Sequence, residues 1–356
     1  MPWQVRLLPR ALSPGGSGVC RPGASKALRK QDIVTQKNTV TIVGAGLMGP
    51  GIAACSVLAG HPTVLVARTA SKAATGVLRT KQDLAQLVEN GLVSGDQAET
   101  AAALLTTETD VRCCLADTFL VIEAISENLA LKQVLFQQLD ELLPPDVMIA
   151  SNTSGLRITD IAQRTRHPQR TATTHFWFPG HLVPLVEIVM GDRTDEAVAL
   201  RLHELLLGWH KAPVIVRKDL PGQLANRILQ AVIREAVNIV AMGLATPVDV
   251  DTAIKMGMAL RFPAWGPLEH IDAVGLDLAL SVQRGVLPGL NNDGKPSQYL
   301  EDLVASGQLG YKTGSGFYDW RVKDMQALAA RRDGFIIGAL RTLAAMAPEA
   351  AIKLDG

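Results

Sequence analysis

Apolar residues fall along this chain in two rhythms. Between Thr39 and about Lys218, short apolar runs alternate with longer segments whose apolar positions recur every three or four residues. The short runs read as buried strands and the longer ones as amphipathic helices, so the alternation predicts a doubly wound α/β sheet. The expected strands are Thr39–Val43, Thr63–Ala67, Phe119–Ala124, Val147–Ala150, Thr171–Phe176, Leu185–Met190 and Val214–Arg217. Helices are expected between them, among them Ser71–Asn90, Asn128–Leu143 and Asp195–Trp209. After Asp219 the pattern turns helical throughout. Pro221 and Gly222 break the chain, and Gln223–Met242, Pro247–Met256, Pro267–Val282 and Ser297–Ser306 follow as predicted helices. Leu224, Ile228, Val232, Ala236, Ile239 and Val240 form one stripe of the first of these, which suits a core or, preferably, a subunit interface. A last amphipathic segment, Met325–Met346, stops before Pro348.

This pattern divides the chain into an extension (1–38), an α/β domain (39–218), a helical domain (219–322) and a helical tail (323–356). With 356 residues, two cores are expected rather than one. No apolar run approaches the roughly 18 residues of a membrane-spanning helix. The net charge of +1 is uneven: the first 38 residues carry seven Lys or Arg against Asp32, which leaves −5 on the remainder. A mildly acidic body offers no basic face, so nucleic acid is excluded as a partner. The extension, rich in Pro, Gly, Ser and Arg, reads as disordered or processed. Its Arg-rich composition also suits a mitochondrial transit peptide, although Pro2, Pro9, Pro14 and Pro22 leave little amphipathic helix. Cys20, Cys55, Cys113 and Cys114 have no metal-ligand spacing. They suit a reducing compartment, the cytoplasm by default or the mitochondrial matrix as the alternative, and no metal is expected.

The most specific segment is TVTIVGAGLMGPGIA, Thr39 to Ala53, where a buried strand turns through three glycines into a helix. In such a turn Gly44 permits the sharp bend, Gly46 lets a pyrophosphate approach the backbone, and Gly49 lets helix and strand pack closely. The phosphates then meet free N–H groups at the helix N-terminus. The sheet is therefore expected to be of the Rossmann type and to hold a dinucleotide.

Further segments follow in order: VIEAISENLALK (Val121–Lys132), ASNTSGLRITDIA (Ala150–Ala162), HFWFPGHLVPLVEIV (His175–Val189), DLPGQLANRIL (Asp219–Leu229), GPLEHIDAVGLD (Gly266–Asp277) and LGYKTGSGFYDW (Leu309–Trp320). Together with the glycine turn they resemble the L-3-hydroxyacyl-CoA dehydrogenase family over about residues 39 to 320. The resemblance implies an oxidoreductase that interconverts a 3-hydroxy and a 3-oxo group with NAD(P)(H), most naturally on a 3-hydroxyacyl-CoA, and works as a homodimer.

An unperturbed imidazole titrates at about pH 6.5, so His175 is the natural general base for a hydroxyl proton. The resulting imidazolium needs an anion. Glu187, twelve residues on and across a turn, meets that need if the two segments pair as antiparallel strands. The resemblance gives Ser154 and Asn226 hydrogen bonds to substrate. It puts Leu47, Met48, Glu127, Lys132, Asn152 and Lys312 on the cofactor side.

Three departures from the family bear on specificity. After the second strand, where an NAD enzyme carries an acid for the adenosine ribose, this chain has Ala67 and Arg68, which predicts acceptance of NADP(H). Phe178 replaces an asparagine of the family's HFFNP turn. The stretch TKQDLAQLVENG carries Lys81 but also Asp83 and Glu89, whose charges oppose CoA phosphates. An enzyme for a small non-CoA hydroxy acid is therefore the alternative substrate reading. A non-catalytic, crystallin-like dinucleotide-binding protein is the alternative outside enzymes.

Overall fold

Residues 38–346 are described by a computed structural model. All of the expected extension except Asn38 lies outside the described residues, as do Cys20 and the last ten residues of the tail. The described chain divides into two compact units, one ending at Gln223 and the other beginning at Leu224.

The first unit runs β1 (Thr39–Val43), α1 (Gly49–Leu58), β2 (Thr63–Val66), α2 (Ala70–Glu89), α3 (Gly95–Ala103), β3 (Leu105–Glu108), β4 (Thr118–Glu123), α4 (Leu129–Leu142), β5 (Met148–Ser151), α5 (Ile158–Ile161), β6 (Thr171–Phe176), β7 (Leu185–Val189), α6 (Glu196–Gly208) and β8 (Ala212–Val216). Its eight strands form one sheet in the order β3-β2-β1-β4-β5-β6-β7-β8. All neighbouring pairs are parallel except β6 and β7, which a short turn joins as an antiparallel hairpin. The chain winds outward from β1 to β3, then returns across β1 to start β4. That reversal opens a crevice at the carboxyl ends of β1 and β4, where open α/β sheets bind ligands.

Helices cover both faces of the sheet, so its inner strands read as continuous apolar runs rather than alternating ones. Leu120 and Ile122 pack with Val40, Ile42, Ile52, Phe176 and Trp209 on one face. Val121 packs with Phe136, Leu139, Ile149 and Ile161 on the other. Expected and observed strands agree within two residues at either end, but α3 and β3 were not anticipated. The signal for α3 was present as a capping box, in which Ser94 and Gln97 bond reciprocally across the first turn. The β3 run is a half-exposed, threonine-rich edge strand and lacked the apolar character that marked the others.

The second unit consists of α7 (Ala225–Ala241), α8 (Pro247–Ala253), α9 (Pro267–Val274), α10 (Leu276–Val286), α11 (Gln298–Ala305) and α12 (Met325–Met346). The single helix expected over Pro267–Val282 is two. Gly275, at φ 102°, ends α9 and begins α10 in a conformation that favours glycine. Beyond Ala253 the chain continues into a π-helical turn, Ile254–Met258. Val237 and Ile337 are the buried hydrophobics among the described residues of this unit.

A buried ion pair ties α4 to the start of β6. Arg170 Nη2 donates to Asp140 Oδ1 at 2.7 Å, and the same guanidinium reaches the carbonyls of Asp140, Pro144, Leu143 and Val147. Asp140 also accepts from the N–H groups of Arg166 and His167. Burial alone would raise the Asp140 carboxyl, but Arg170 and these N–H donors outweigh it and hold the group below its usual value. This stabilisation is therefore complete above the ordinary carboxylate range and fades as pH falls through the depressed value. Arg170→Met strands the buried carboxylate and should cost about 3–5 kcal/mol in denaturant unfolding, whereas Asp140→Asn should flatten the acid limb of the stability profile.

Candidate active site

The glycine turn lies at the mouth of the crevice. Gly44 adopts φ 127° directly after β1, and a Cβ there would strike the carbonyl of Ala124 at the end of β4. A Cβ on Gly49 would collide with the Gly44 carbonyl, so the turn closes on itself. Gly46 faces open space instead: nothing lies within 4 Å of where its Cβ would be. Leu47 is exposed and Met48 half-buried beside it. Met48 leads into α1, whose N-terminus no side chain caps. A backbone that can be approached at Gly46, beside uncapped helical N–H groups, fits a pyrophosphate.

The candidate base and its carboxylate come from the hairpin. In the β6–β7 register His175 stands directly opposite Glu187, and its Nδ1 lies 2.7 Å from Glu187 Oε2. Both side chains are buried. A carboxylate only accepts, so Nδ1 carries the proton and Nε2 keeps a lone pair able to accept one. Trp177 stands two residues along from His175, and its Nε1 donates to the same Glu187 oxygen at 3.0 Å. The turn between the strands is fastened from below: Lys211 Nζ donates to the carbonyls of Gly180 and Val183 at 2.6 and 3.0 Å, and Cys55 Sγ reaches Gly180. Gly180 and His181 sit against Gly51 of α1, so the hairpin and the nucleotide helix share a support.

A second constellation holds the loop after β5. Glu123, fully buried at the end of β4, accepts from Lys132 Nζ, Ser151 Oγ and the Ile125 N–H, each at 2.6 Å. Lys132 is also buried and lies 3.4 Å from Glu127. Glu127 in turn accepts from Thr153 Oγ1 at 2.6 Å and from the N–H groups of Ser154 and Gly155 at 3.1 Å. Burial pushes the Glu127 carboxyl up, but the Thr153 hydroxyl, Lys132 and the Gly155 N–H prevail and hold it low. Asn152 Oδ1 accepts the Phe176 N–H at 2.8 Å, which links this loop to the strand that carries His175. Ser154 is exposed. The solvated helix face on which a lone Lys132 would ordinarily sit is not what the fold provides: its ammonium bridges two carboxylates.

Arg68 is exposed immediately after β2, and the buried Ala67 donates its N–H to the Glu108 carbonyl. Asn226 opens α7 and Lys312 is exposed between α11 and α12; both belong to the second unit. Among the described residues no group of three or more His, Cys, Asp or Glu is arranged to hold a metal, and no helix is long and apolar enough to cross a membrane.

Residues 39–220 match the model for the NAD binding domain of 3-hydroxyacyl-CoA dehydrogenase, and residues 222–320 match its C-terminal domain. The chain belongs to the 3-hydroxyacyl-CoA dehydrogenase family. Mitochondrial hydroxyacyl-coenzyme A dehydrogenase of Mus musculus is 37% identical, over 79% of this chain and 91% of the relative. The 5-formyl-3-hydroxy-2-methylpyridine 4-carboxylate 5-dehydrogenase of Mesorhizobium japonicum is 30% identical, over 85% of this chain and 97% of its own. A solved structure of a dehydrogenase of that name, described as an NAD⁺-dependent dismutase, superposes with a TM-score of 0.79 at 27% identity, over 86% of this chain and 98% of that one.

Against the family's pattern, Phe178 is exposed at the tip of the catalytic hairpin. Of the two acids noted on α2, Asp83 meets the turn of this hairpin. Asp83 Oδ1 lies 3.4 Å from His181 Nδ1, and Gln86 Oε1 lies 2.6 Å from its Nε2. The family resemblance pointed to neither Glu123 nor Trp177. Glu123 was hidden as the last residue of an apolar strand; Trp177 had a readable cue, since residues two apart on extended chain share a face. The two tight glycines and the open one should separate by experiment. Gly49→Ala should cost about 1–3 kcal/mol of stability, read as a lowered Tm. Gly46→Ala should leave Tm nearly unchanged while weakening NADH binding in a fluorescence titration.

Proposed function

We propose that this dehydrogenase interconverts the 3-hydroxy and 3-oxo groups of a 3-hydroxyacyl-CoA, with His175 as general base. The observation that carries the reading is the buried 2.7 Å contact between His175 Nδ1 and Glu187. With the proton fixed on Nδ1, the Nε2 lone pair takes the substrate hydroxyl proton, and Glu187 stabilises the imidazolium that forms. In the reverse direction the same imidazolium returns the proton to the oxo group. Ser154 donates to the substrate oxygen from its exposed loop, assisted by Asn226, while Glu127, Lys132 and Asn152 hold that loop on the cofactor side. The Gly44–Gly49 turn, with Leu47 and Met48, holds the pyrophosphate, and the family resemblance assigns Lys312 to the cofactor. NAD, when bound, supplies the hydride acceptor.

The small non-CoA hydroxy acid remains the second reading. It is favoured by the engagement of Asp83 and Gln86 with His181 on the helix that would meet CoA, and by similarity to the pyridine-carboxylate dehydrogenase. Ala67 and Arg68 support acceptance of NADP(H), with the Glu108 carboxylate on the neighbouring strand as the opposing charge. The exposed apolar side chains of the second unit, Leu224, Ile228 and Ile233 of the α7 region among them, support a homodimer through that unit. The cysteine spacing, with Cys113 and Cys114 adjacent, supports a reducing compartment, the cytoplasm; the mitochondrial matrix is the alternative, and a CoA substrate would place the reaction in fatty-acid metabolism.

His175→Ala should lower kcat by about 10²- to 10⁴-fold, and in the oxidation direction activity should rise with pH as His175 loses its proton. Turnover unchanged in the variant overturns the assignment. Acetoacetyl-CoA measured beside free acetoacetate separates the two substrate readings, and cofactor binding without turnover on either, or on a wider panel of alcohols and ketones, favours the non-catalytic alternative. In parallel titrations NADPH should bind within tenfold of NADH, about 1.4 kcal/mol, or tighter; a larger preference for NADH defeats the Arg68 inference.

A further inference from the structure

The oxygen that meets the His175 imidazole also accepts from a second ring. Glu187 Oε2 accepts from His175 Nδ1 at 2.7 Å and from Trp177 Nε1 at 3.0 Å, with the two rings 5.6 Å apart and tilted by 49°. The arrangement follows from the strand: His175 and Trp177 are two residues apart, and Glu187 lies opposite His175 on β7. Glu187 is fully buried while Trp177 is half-buried, so the indole lies on the more exposed side of the pair.

We propose that Trp177 is a positioning residue that sets the basicity of His175 through the oxygen they share on Glu187. A carboxylate oxygen that divides its charge between two N–H donors gives less to each. Without the indole, more of that oxygen's accepting capacity goes to Nδ1–H, the imidazolium is better stabilised, and the pH at which His175 becomes a free base rises. Trp177 thus keeps the base competent at lower pH and fixes the carboxylate rotamer that aims Oε2 at the imidazole.

The charged groups around the pair in the first unit have partners of their own. Within β5, β6, β7 and β8 the titratable residues are His175 and Glu187. Lys211, just before β8, gives its ammonium to the carbonyls of Gly180 and Val183. His181, in the connecting turn, is engaged by Asp83 and Gln86 of α2. On the β5 side, Glu127 is committed to Thr153, Ser154, Gly155 and Lys132, and Glu123 to Lys132 and Ser151.

The inference rests on His175 being the base, and its test reads the imidazole directly as well as through turnover. Trp177→Phe keeps an aromatic ring and removes the N–H; Trp177→Gln removes the ring and restores an N–H donor. In ¹⁵N-edited NMR titrations of the full chain, the His175 midpoint should rise by about 0.5–1 pH unit in Trp177→Phe, the scale of one ordinary net hydrogen bond, and return toward wild type in Trp177→Gln. The acid limb of kcat/KM should move with it, while NADH affinity stays within twofold. A midpoint unmoved in Trp177→Phe, or raised equally in both variants, overturns the proposal. If His175→Ala keeps its turnover while the midpoint shifts as described, the base assignment falls and the coupling of Trp177 to Glu187 stands.

Discussion

The antiparallel register of β6 and β7 is the constraint on which the catalytic geometry depends. In an otherwise parallel stretch of sheet, one hairpin brings two residues twelve apart into a directly opposed pair. A one-residue slip would turn Glu187 to the other face and leave a carboxylate in an apolar layer without a partner. Burying Glu187 is tolerable because His175 and Trp177 supply N–H donors to it there. The apolar neighbours Val186 and Ile188 fix the register from the opposite face, so packing and chemistry enforce the same alignment.

The nucleotide side depends on a different economy, in which buried charge holds a loop still. Glu123 and Lys132 are both withdrawn from water, a burden that close geometry and additional hydrogen bonds must offset. The return is positional: Lys132 reaches on to Glu127, and Glu127 gathers the N–H groups of Ser154 and Gly155. Asn152 connects this loop to the backbone beside His175. The serine loop and the base are therefore carried by one hydrogen-bonded frame that spans β4, β5 and β6, and the glycine turn closes against the end of β4 beside it.

How much of this could be read in the sequence depended on whether the determining contact was local. Gly44, Gly46 and Gly49 were legible because strand, turn and helix are neighbours in the chain, and each glycine has its own steric reason. The His175–Glu187 pair was legible because a hairpin makes a non-local contact nearly local. Glu123 was not, since its partners Lys132 and Ser151 come from the next helix and the next strand, and only the assembled sheet makes a buried glutamate acceptable. The edge strand β3 escaped for the opposite reason: half-exposed threonines carry almost no burial signal. Missing it also concealed Glu108, which brings an acid alongside the end of β2 where Ala67 and Arg68 had suggested that none remained.

The departures from the family pattern are not scattered at random over the site. His175, Glu187, Ser154 and the three glycines keep the residues to which we assign proton transfer and pyrophosphate binding. The changed positions are Phe178 at the tip of the hairpin, Asp83 on α2 and Arg68 after β2. On that assignment they would meet parts of substrate and cofactor that do not react, and changes of that kind alter which molecule is held without altering what is done to it. His181 shows how such a change is built in. By engaging Asp83 and Gln86 it joins α2 to the catalytic hairpin, so the helix face that departs from the CoA-binding pattern also braces the turn beneath the base. Replacing Asp83 and Gln86 by lysines would remove that brace, so on the proposed assignment a change on this face of α2 would also loosen the support of the His175–Glu187 pair.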